Sequence, residues 1–407
     1  MMTHFTHALG AFAIVGSLCC SSMAENRTDT QSALSPPVSS ELLAKIRQVE
    51  GQEKYGANNQ IIKLMIFNPT NSPDHTLPFL RELKYLEDLF VTNDKNHKEA
   101  TWMMSIAKLP RLKSLTIDSA DVSDKTIHYL AGIKTLQKLT LDVSDVTDVG
   151  IESLLGLENL EYLKLRYTPI TNVGLAKLTR LPKLKKLWLV NIPITPEGIL
   201  AFRETKLEEV IWYDEDRPRL AMLPYLKQLP HLWRLDLRSC YVSNRHVEHL
   251  QEMSSLEDLD LYGHAITDSG LAGLSKLTKM QYLCLSQAGK NKAKTLSDAG
   301  LIHLAGLSEL RDLRLAGIQI TDSGLRQLAG LTKLRRLDLS GTRVTSAGLA
   351  NLSHLLQLEN LDITSTPLQD EPIVDLRMFP KLKNVTAYGF DEKKIRSPAN
   401  CSIVTFD

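Results

Sequence analysis

The chain has 407 residues, of which 48 are lysine or arginine and 47 are aspartate or glutamate, for a net charge of +1. This length is enough for two or three globular domains. The balanced charge excludes the strongly basic surface by which many proteins attract nucleic acids, so we expect no nucleic-acid partner.

The first 24 residues predict an export signal. Residues 8–20 form an apolar run that is too short to span a membrane in the mature chain, and Ser-Met-Ala at 22–24 fits a small-x-small cleavage site. No lysine or arginine precedes this run, so a lipoprotein signal with lipid on Cys19 or Cys20, or an uncleaved anchor, are the alternatives. We expect a protein exported to the periplasm, the cell surface or the medium, without a transmembrane span in the mature chain.

Short segments flank the main part of the chain. Residues 25–40 are polar and rich in serine, threonine and proline, which predicts a disordered leader. Residues 41–60 begin with Leu42, Ile46 and Val49 at helical spacing, and we expect a helix that caps the N-terminal end of the following array. Residues 391–407 are expected to form a C-terminal cap or tail.

Residues 61–390 carry the repeated pattern L-x-x-L-x-L, with a step of 24 residues in most places. The second leucine of each pattern is found at Leu115, Leu139, Leu163, Leu187, Leu235, Leu259, Leu283, Leu313, Leu337 and Leu361. Weaker units add Leu64, Leu89, Val210 and Val385, which with the ten leucines makes 14 predicted strand positions. A period of this size is typical of a solenoid in which every unit adds one strand to a shared sheet.

The unit at residues 334–357 shows what each coil should contain. Leu337 and Leu339 have the two-residue spacing of a strand, and Thr345 is suited to cap a short helix. A glycine precedes the first apolar residue of that helix in most units, and we interpret it as close packing of the helix start against the neighbouring coil. An aspartate often follows the capping threonine, as Asp148 follows Thr147, and should favour the positive end of its own helix.

This unit resembles the leucine-rich repeats of the ribonuclease-inhibitor-like and cysteine-containing subtypes, as in exported bacterial leucine-rich repeat proteins. In one unit the resemblance rests on Leu160, Leu163, Leu165, Thr168, Ile170, Thr171, Gly174 and Leu175. It implies an α/β solenoid with a curved parallel sheet inside and short helices outside, which serves as a binding surface more often than as an enzyme. The turn position that many such repeats fill with asparagine holds Thr168, Cys240, His264, Thr342 and Thr366 here, or the apolar Ile192 and Ile318.

Three cysteines follow the signal segment, which is too few for a disulfide framework. We expect Cys240 to be a small buried side chain at the turn position. Cys284 lies between two inward leucines and is expected to point outward from its strand.

The side chains that alternate with the inward leucines should face the concave side of the sheet. At the ends of the sheet these rows are mostly threonine, serine and aspartate, whereas the centre combines aromatic and charged residues. The candidate partner-binding residues are Tyr162, Lys164, Arg166, Trp188, Tyr213, Arg234, Asp236, Arg238, Asp260 and Tyr262. Aromatic residues and arginine anchor many protein interfaces, so we favour a binding patch over a solvated sheet face with cross-strand charge pairs.

Two segments depart from the repeat. Residues 201–231 lack the Gly-Leu helix start and contain a charged stretch at 213–219, which we interpret as a loop over the patch, with a degenerate coil as the alternative. The step from Leu283 to Leu313 is 30 residues, six more than usual, and the extra residues lie within residues 286–295. There Lys290, Lys292 and Lys294 form a small basic loop, which we interpret as a tolerated surface insertion.

Signals for catalysis and metal binding are weak. His246 and His249 lie on one predicted helix without a third ligand, and Asp236 and Asp260 lie on adjacent strands without an enclosing pocket. We therefore expect no enzyme activity, no metal and no cofactor. The sequence predicts an exported scaffold that binds another protein through its concave face. The alternatives are a surface protein that binds carbohydrate or cell wall, and an intracellular F-box-type adaptor.

Overall fold

The computed structural model describes residues 38–67, 77–92, 102–118, 122–213, 219–238, 240–287 and 296–405. The predicted export signal, the leader up to residue 37, most of the charged stretch at 213–219 and the Lys290–Lys294 loop lie outside these ranges. The structure therefore addresses the repeat array and its two ends.

One sheet of sixteen strands runs through the described part of the chain in sequence order. Its strands are β1 (Gln52–Tyr55), β2 (Ile61–Ile66), β3 (Asp88–Thr92), β4 (Ser114–Asp118), β5 (Lys138–Asp142), β6 (Tyr162–Arg166), β7 (Lys186–Val190), β8 (Glu209–Tyr213), β9 (Arg234–Asp236), β10 (Asp258–Asp260), β11 (Tyr282–Cys284), β12 (Asp312–Arg314), β13 (Arg336–Asp338), β14 (Asn360–Asp362), β16 (Asn384–Thr386) and β18 (Ser402–Val404). A separate two-stranded sheet pairs β15 (Val374–Asp375) with β17 (Ile395–Arg396).

The strand register agrees with the repeat. The pair β1 and β2 is antiparallel, and each later neighbour in the large sheet is parallel. Leu64 aligns with Leu89, Leu89 with Leu115, and so on through every predicted strand residue to Val385. All 14 predicted strand positions are confirmed.

Short helices connect the strands. The α-helices are α1 (Ser40–Gln48), α2 (Met103–Ile106), α3 (Asp124–Ile127), α4 (Ile151–Leu154), α5 (Asn172–Lys177), α6 (Leu223–Leu226), α7 (Asn244–Leu250), α8 (Asp268–Leu274), α9 (Asp298–Leu301), α10 (Asp322–Leu325) and α11 (Ser346–Ala350). The 3-10 helices are Pro78–Glu82, His128–Gly132, Leu178–Arg180, Pro196–Phe202, Arg219–Met222, Ile302–Leu304, Arg326–Leu328, Pro367–Asp370 and Glu392–Lys394. The inward side chains of successive coils form one continuous hydrophobic core, as stacking in a solenoid requires. The predicted α/β solenoid is confirmed.

The strands shorten in the second half of the sheet because side chains compete for backbone N–H groups. Strands β3 to β8 have five residues each, and β9 to β14 have three. In several of the short strands the last residue is aspartate, and its carboxylate accepts the N–H two residues later. Asp260 Oδ1 accepts from Tyr262 N at 3.0 Å, and Asp338 Oδ1 accepts from Ser340 N at 2.9 Å. An N–H bound in this way cannot extend the ladder, so the strand ends there.

On the helix side, side-chain caps join consecutive coils. Asp148 accepts hydrogen bonds from Thr171 N at 2.8 Å, Thr171 Oγ1 at 2.6 Å and Gly174 N at 2.9 Å, all in the next coil. The same contacts to the next capping threonine or serine are made by Asp124, Asp268, Asp298 and Asp322. Asn172 and Asn244 take the equivalent place through their amide groups. The aspartate that we expected to serve its own helix therefore caps the helix of the following coil.

This cap ladder also explains the repeated glycine. A Cβ on Gly174 would lie under 3.0 Å from Asp148 Oδ1, a separation that real Cβ atoms essentially never show. Gly324 and Gly348 face the carboxylates of Asp298 and Asp322 in the same way. The predicted close packing of the helix start is confirmed, and its neighbour is the capping carboxylate of the preceding coil.

Both ends of the array add strands beyond the fourteen. Within residues 41–60, where we expected a capping helix, α1 is followed by β1, which forms a hairpin with β2. Within residues 391–407, β18 pairs with β16 and becomes the sixteenth strand. The sheet therefore continues into both segments that we expected to be caps.

In several coils the turn position holds a small polar side chain that bonds to a nearby carbonyl, in one coil it holds an imidazole, and Ile192 and Ile318 fill it with buried apolar side chains. Thr342 Oγ1 donates to Leu339 O at 2.5 Å. His264 is buried, with Nε2 at 2.9 Å from Leu285 O and Nδ1 accepting from Ile266 N at 2.9 Å. These contacts suit the neutral ring, and burial lowers the pKa of His264 to about 4.

The cysteines are less regular than predicted. Cys240, expected to be buried, is only partly buried, and its Sγ donates to Arg238 O at 3.4 Å. Cys284 lies on an outward row as expected, yet it is only 3% exposed. Its thiol is crowded by neighbours on the concave face, including Asp260, and burial raises its pKa. Within the described residues, Cys240, Cys284 and Cys401 form no disulfide with one another.

Candidate binding face on the concave sheet

The predicted patch falls into two groups of side chains, with β8 between them. The register places Lys164 beside Trp188, and Asp236 beside Asp260. We define the Trp188 cluster as Tyr162, Lys164, Arg166 and Trp188 on β6 and β7, and the Arg238 cluster as Asp236, Arg238, Asp260 and Tyr262 on and just after β9 and β10.

The Trp188 cluster is held by ring and charge contacts. The rings of Tyr162 and Trp188 meet edge to face with centroids 5.5 Å apart, and Lys164 Nζ lies 6.0 Å from the centroid of the Trp188 ring. Arg166 Nη1 donates to Asp142 Oδ2 at 2.9 Å. The side chains are therefore ordered before any partner arrives, which reduces the entropy lost on binding.

A buried carboxylate, Glu209, anchors this cluster from β8. Trp188 Nε1 donates to Glu209 Oε1 at 3.0 Å, and Lys186 Nζ lies 3.1 Å from Oε2. Oε2 is buried and accepts no hydrogen bond from the described residues, so the lysine contact is a charge pair without hydrogen-bond geometry. Burial, with the nearby charge of Glu209, raises the pKa of Tyr162 to about 12. Trp188 lies outside the core as expected, but its polar edge is tied to the protein.

A pocket of about 340 Å³ opens beside the Trp188 cluster, at the end where the strands begin. It is lined by Gln137, Lys138, Glu161, Tyr162, Lys185, Lys186, Trp188, Glu209 and Arg234. Arg234 lies 3.5 Å from Asp258 through Nε, which is buried and hydrogen-bonded to no described residue. The pocket combines aromatic walls with four basic and two acidic side chains.

The Arg238 cluster is a network of ion pairs. Arg238 Nη2 donates to Asp236 Oδ2 at 2.6 Å, and Arg238 Nε lies 3.8 Å from Asp260 Oδ2. Tyr282 OH also donates to Asp260 Oδ2, at 3.3 Å. The side chain of Arg238 is 59% exposed and Tyr262 is 37% exposed, so both are accessible from the concave side.

The ladder between β8 and β9 is short, and this changes one predicted neighbourhood. Only Glu209–Arg234 and Val210–Leu235 are paired there. Strict alternation of outward residues along β8 and β9 would place Tyr213 beside Arg238, but β9 ends at Asp236 and Arg238 lies in the turn beyond it. Tyr213 is half-buried at the end of β8, where it pairs with Val190 of β7.

Sequence reasoning missed the outward row on which the pocket lies. Lys138, Lys186 and Glu209 occupy the first residue of each strand, and only Tyr162 and Arg234 were chosen from that row. The sequence does carry the information needed to find this row. The first residue of each strand alternates with the inward leucines in the same way as Lys164 and Arg166 do on β6, so it should also face the concave side.

Asp236, Asp260 and His246 have structural partners, whereas His249 Nδ1 is buried and forms no hydrogen bond with the described residues. Asp236 and Asp260 belong to the Arg238 network, and His246 Nδ1 accepts from Ser243 N at 3.0 Å as part of the cap of α7. Among the described residues no group of three or more histidine, cysteine or acidic side chains is placed to hold a metal ion. The arrangement supports contact with a partner through charge and aromatic surface.

A family model described as a leucine-rich repeat matches residues 156–178, 252–275 and 330–353. These three segments are leucine-rich repeats, and the described coils around them share the same solenoid fold. No curated protein matches the sequence. Within the described ranges, no helix is both long and apolar enough to cross a bilayer.

Among solved structures, the repeats are similar to an internalin from Listeria monocytogenes, at 16% identity and a TM-score of 0.47, over 90% of this chain and 94% of that one. A leucine-rich repeat protein from Leptospira interrogans is 17% identical with a TM-score of 0.42, over 86% of this chain and 99% of that one. The plant peptide hormone receptor RGFR1, solved in complex with RGF2, is 12% identical with a TM-score of 0.36, over 81% of this chain and 64% of that one. At these identities the likeness concerns the fold alone.

Proposed function

We propose that this chain is an exported, non-catalytic scaffold that binds another protein through the centre of its concave sheet. Repeat solenoids present long curved surfaces on rigid elements, which suits the recognition of a macromolecule. The Trp188 cluster, the Arg238 cluster and the pocket beside β6 to β9 together form the proposed contact surface.

One observation supports this surface above the rest of the sheet. The aromatic side chains Tyr162 and Trp188 converge with Arg234 around the pocket at β5 to β9, while the corresponding outward positions of β4 and β14 hold serine, threonine, asparagine and aspartate. Tyrosine, tryptophan and arginine contribute most of the binding energy in many protein interfaces. Their contacts with Glu209, Asp142 and Asp236 fix them in place.

The test uses variants that do not disturb the buried Glu209. Truncation of Trp188 would leave that carboxylate without its donor, so the informative double variant is Arg238→Ala with Tyr262→Ala, both exposed. We expect affinity for the native partner, isolated by crosslinking from the source organism, to fall about 30-fold, or about 2 kcal/mol. The matched control is Thr116→Ala with Thr386→Ala at the sheet ends, which should bind like the parent. Equal affinity of the double variant and the parent would contradict the proposal.

Carbohydrate is the second candidate ligand, and the pairing of Tyr162 and Trp188 beside a carboxylate favours it. Sugars stack on aromatic rings and donate hydroxyl hydrogens to carboxylates. A glycan array read with the parent and with Tyr162→Ala separates the two cases. Glycan signals that vanish in the variant would favour a carbohydrate ligand, and an empty array with intact protein capture would exclude it.

Export is the remaining part of the proposal. It rests on the apolar run and cleavage pattern of the first 24 residues. Mass spectrometry of the protein from its native source should find an N-terminus at Glu25. A lipid-modified cysteine would favour the lipoprotein alternative, and an intact Met1 on a cytoplasmic protein would contradict export.

A further inference from the structure

The two edge strands of the large sheet differ in their side chains. β1 and β18 stand at the ends of the strand order, and within the described residues each is paired on one side only. β1 contains Glu53 and Lys54, and Glu53 is aligned with Leu64, so a charge lies on the same face as the inward leucine. Inward charges on an edge strand discourage the addition of another strand. β18 contains no charged residue, so the C-terminal edge lacks this protection.

The backbone of β18 presents one residue to the open side of the sheet. Ser402 N donates to Lys383 O at 2.7 Å, and Val404 O accepts from Ala387 N at 3.0 Å, so both residues bond toward β16. The peptide groups of consecutive residues in a strand point to opposite sides. The N–H and C=O of Ile403 therefore point away from β16, where they offer a donor and an acceptor to a further strand.

The hydrophobic core also ends at Ile403. This residue continues the inward row, since it is aligned with Val385. Val385 and Leu64, the latter near the other end of the row, are fully buried, whereas Ile403 is only partly buried. The terminal repeats of a solenoid need a polar outer face. At this edge the described residues instead leave an apolar side chain together with an unpaired backbone donor and acceptor.

A second copy of β18 fits this edge in antiparallel orientation. When the pair is centred on Ile403, this residue faces the partner's Ile403, and the two exchange both backbone hydrogen bonds as residues of a hydrogen-bonded antiparallel pair do. The two isoleucine side chains then lie on the same face and cover each other. Ser402 faces the partner's Val404, so no like charges are opposed. A copy of β1 fits less well, because it would place the carboxylate of Glu53 beside the core.

We propose that two copies of this chain associate through β18 into a twofold dimer, in which one sheet continues from copy to copy. A contact that both copies make with the same residues closes after two subunits. Within the described residues no helix follows β18, and the last helical segment, Glu392–Lys394, precedes it. The two edge strands therefore lie between the last coils of the two copies, whose helices do not have to share the same space. This contact is separate from the concave patch.

The first experiment is sedimentation velocity of the whole chain over a concentration series. We expect a reversible monomer–dimer equilibrium in the micromolar range, because the contact is small. Ile403→Pro removes the N–H that points to the open edge and leaves the bonds to β16 in place, so it should weaken the dimer at least tenfold. The matched control, Ile403→Val, retains the N–H and a β-branched side chain and should dimerise like the parent. Glu53→Ala at the opposite edge should also dimerise like the parent.

The second experiment tests the register and does not depend on the proline variant. Two chains carry Cys401→Ser, one with Ser402→Cys and the other with Val404→Cys. Residues 402 and 404 face each other across the twofold at about 4.5 Å between Cα atoms, within the limit of about 7 Å for a disulfide. Identical positions are offset along the strands and lie about 8 Å apart. Oxidation of the mixture should therefore give a disulfide-linked dimer on a non-reducing gel, and each chain alone should give little.

Four results would overturn the proposal. They are a parent chain that stays monomeric at every concentration, a folded Ile403→Pro chain that dimerises like the parent, a mixture of the cysteine chains that crosslinks no better than either chain alone, and loss of the dimer in Glu53→Ala. The last result would indicate head-to-tail association through β1. Loss of the dimer in Arg238→Ala with Tyr262→Ala would place the self-contact on the concave patch and overturn the proposal as well.

Discussion

The side-chain caps between coils give a sharp test of how the array is held together. Asp148 is bonded to Thr171 N, Thr171 Oγ1 and Gly174 N of the next coil. The perturbation is a double-mutant cycle that combines Asp148→Ala with Gly174→Ala. The two residues meet directly, since a Cβ on Gly174 would clash with Asp148 Oδ1.

The expected magnitudes follow from these contacts. Asp148→Ala removes three hydrogen bonds from a half-exposed carboxylate. It should lower the free energy of unfolding by about 2–3 kcal/mol, at about 1 kcal/mol for each bond. Gly174→Ala alone should cost about 1–3 kcal/mol, because the added methyl displaces the carboxylate. Without that carboxylate the same change should be nearly neutral, since alanine gains about 1 kcal/mol of helix propensity over glycine. The two substitutions should therefore be strongly non-additive, with a coupling of about 1–3 kcal/mol.

The assay is urea unfolding of the whole chain followed by far-UV circular dichroism. Asp148→Asn is the matched control, because Asn172 and Asn244 already fill the equivalent place with an accepting and a donating amide. It should cost less than about 1 kcal/mol, since two of the contacts are retained. Additive single variants, within about 0.5 kcal/mol, would refute the account of why glycine and aspartate recur together.

Three further predictions concern stability. Burial lowers the pKa of His264 from 6.5 to about 4, so between these pH values the unfolded chain binds a proton that the folded chain does not. The free energy of unfolding should therefore fall by up to about 3 kcal/mol as the pH falls from about 6.5 to about 4. Urea titrations at pH 7.5 and 4.5 should show this loss for the parent, and His264→Asn should remove the histidine's contribution. Leu259→Ala and Leu337→Ala should each cost about 2–5 kcal/mol in the same assay, because both side chains lie in the shared core; parent-like unfolding would mean that the inward register is wrong. Trp188→Phe should lower the free energy of unfolding by about 1–3 kcal/mol, since it removes the donor to the buried Glu209. Lys164→Ala, the control, should lower it little. Equal unfolding of these two variants would contradict the anchoring role of Glu209.

The architecture could be predicted because its cause lies in the sequence period. A 24-residue step with apolar residues at strand spacing leaves one way to bury the leucines, which is to stack them. The alternation along each strand also places Lys164, Trp188 and Asp260 on the concave side, as the register shows. These inferences depend only on which face a residue occupies.

Contacts between coils could not be derived in the same way. The capture of Tyr262 N by Asp260, two residues earlier, depends on the rotamer of the aspartate. The cap from Asp148 to Thr171 and the bond from Trp188 to Glu209 join side chains that are 23 and 21 residues apart in the sequence. The period does not distinguish an aspartate that serves its own coil from one that serves the next. The depth of burial at Cys284 has the same origin, because side chains of neighbouring residues, including Asp260 and Ser286, crowd its thiol.

The most direct test of the proposed function is site-specific photocrosslinking from the concave face. Benzoylphenylalanine would replace Tyr262 in the Arg238 cluster, Thr386 at the sheet end and Ile302 on the helix side, and the three proteins would be irradiated with an extract of the source organism. We predict a discrete covalent protein adduct from position 262, at least tenfold stronger than from 302 or 386, and competed by the unlabelled parent protein. Adducts from 302 alone, or equal labelling at all three positions, would contradict binding through the concave centre.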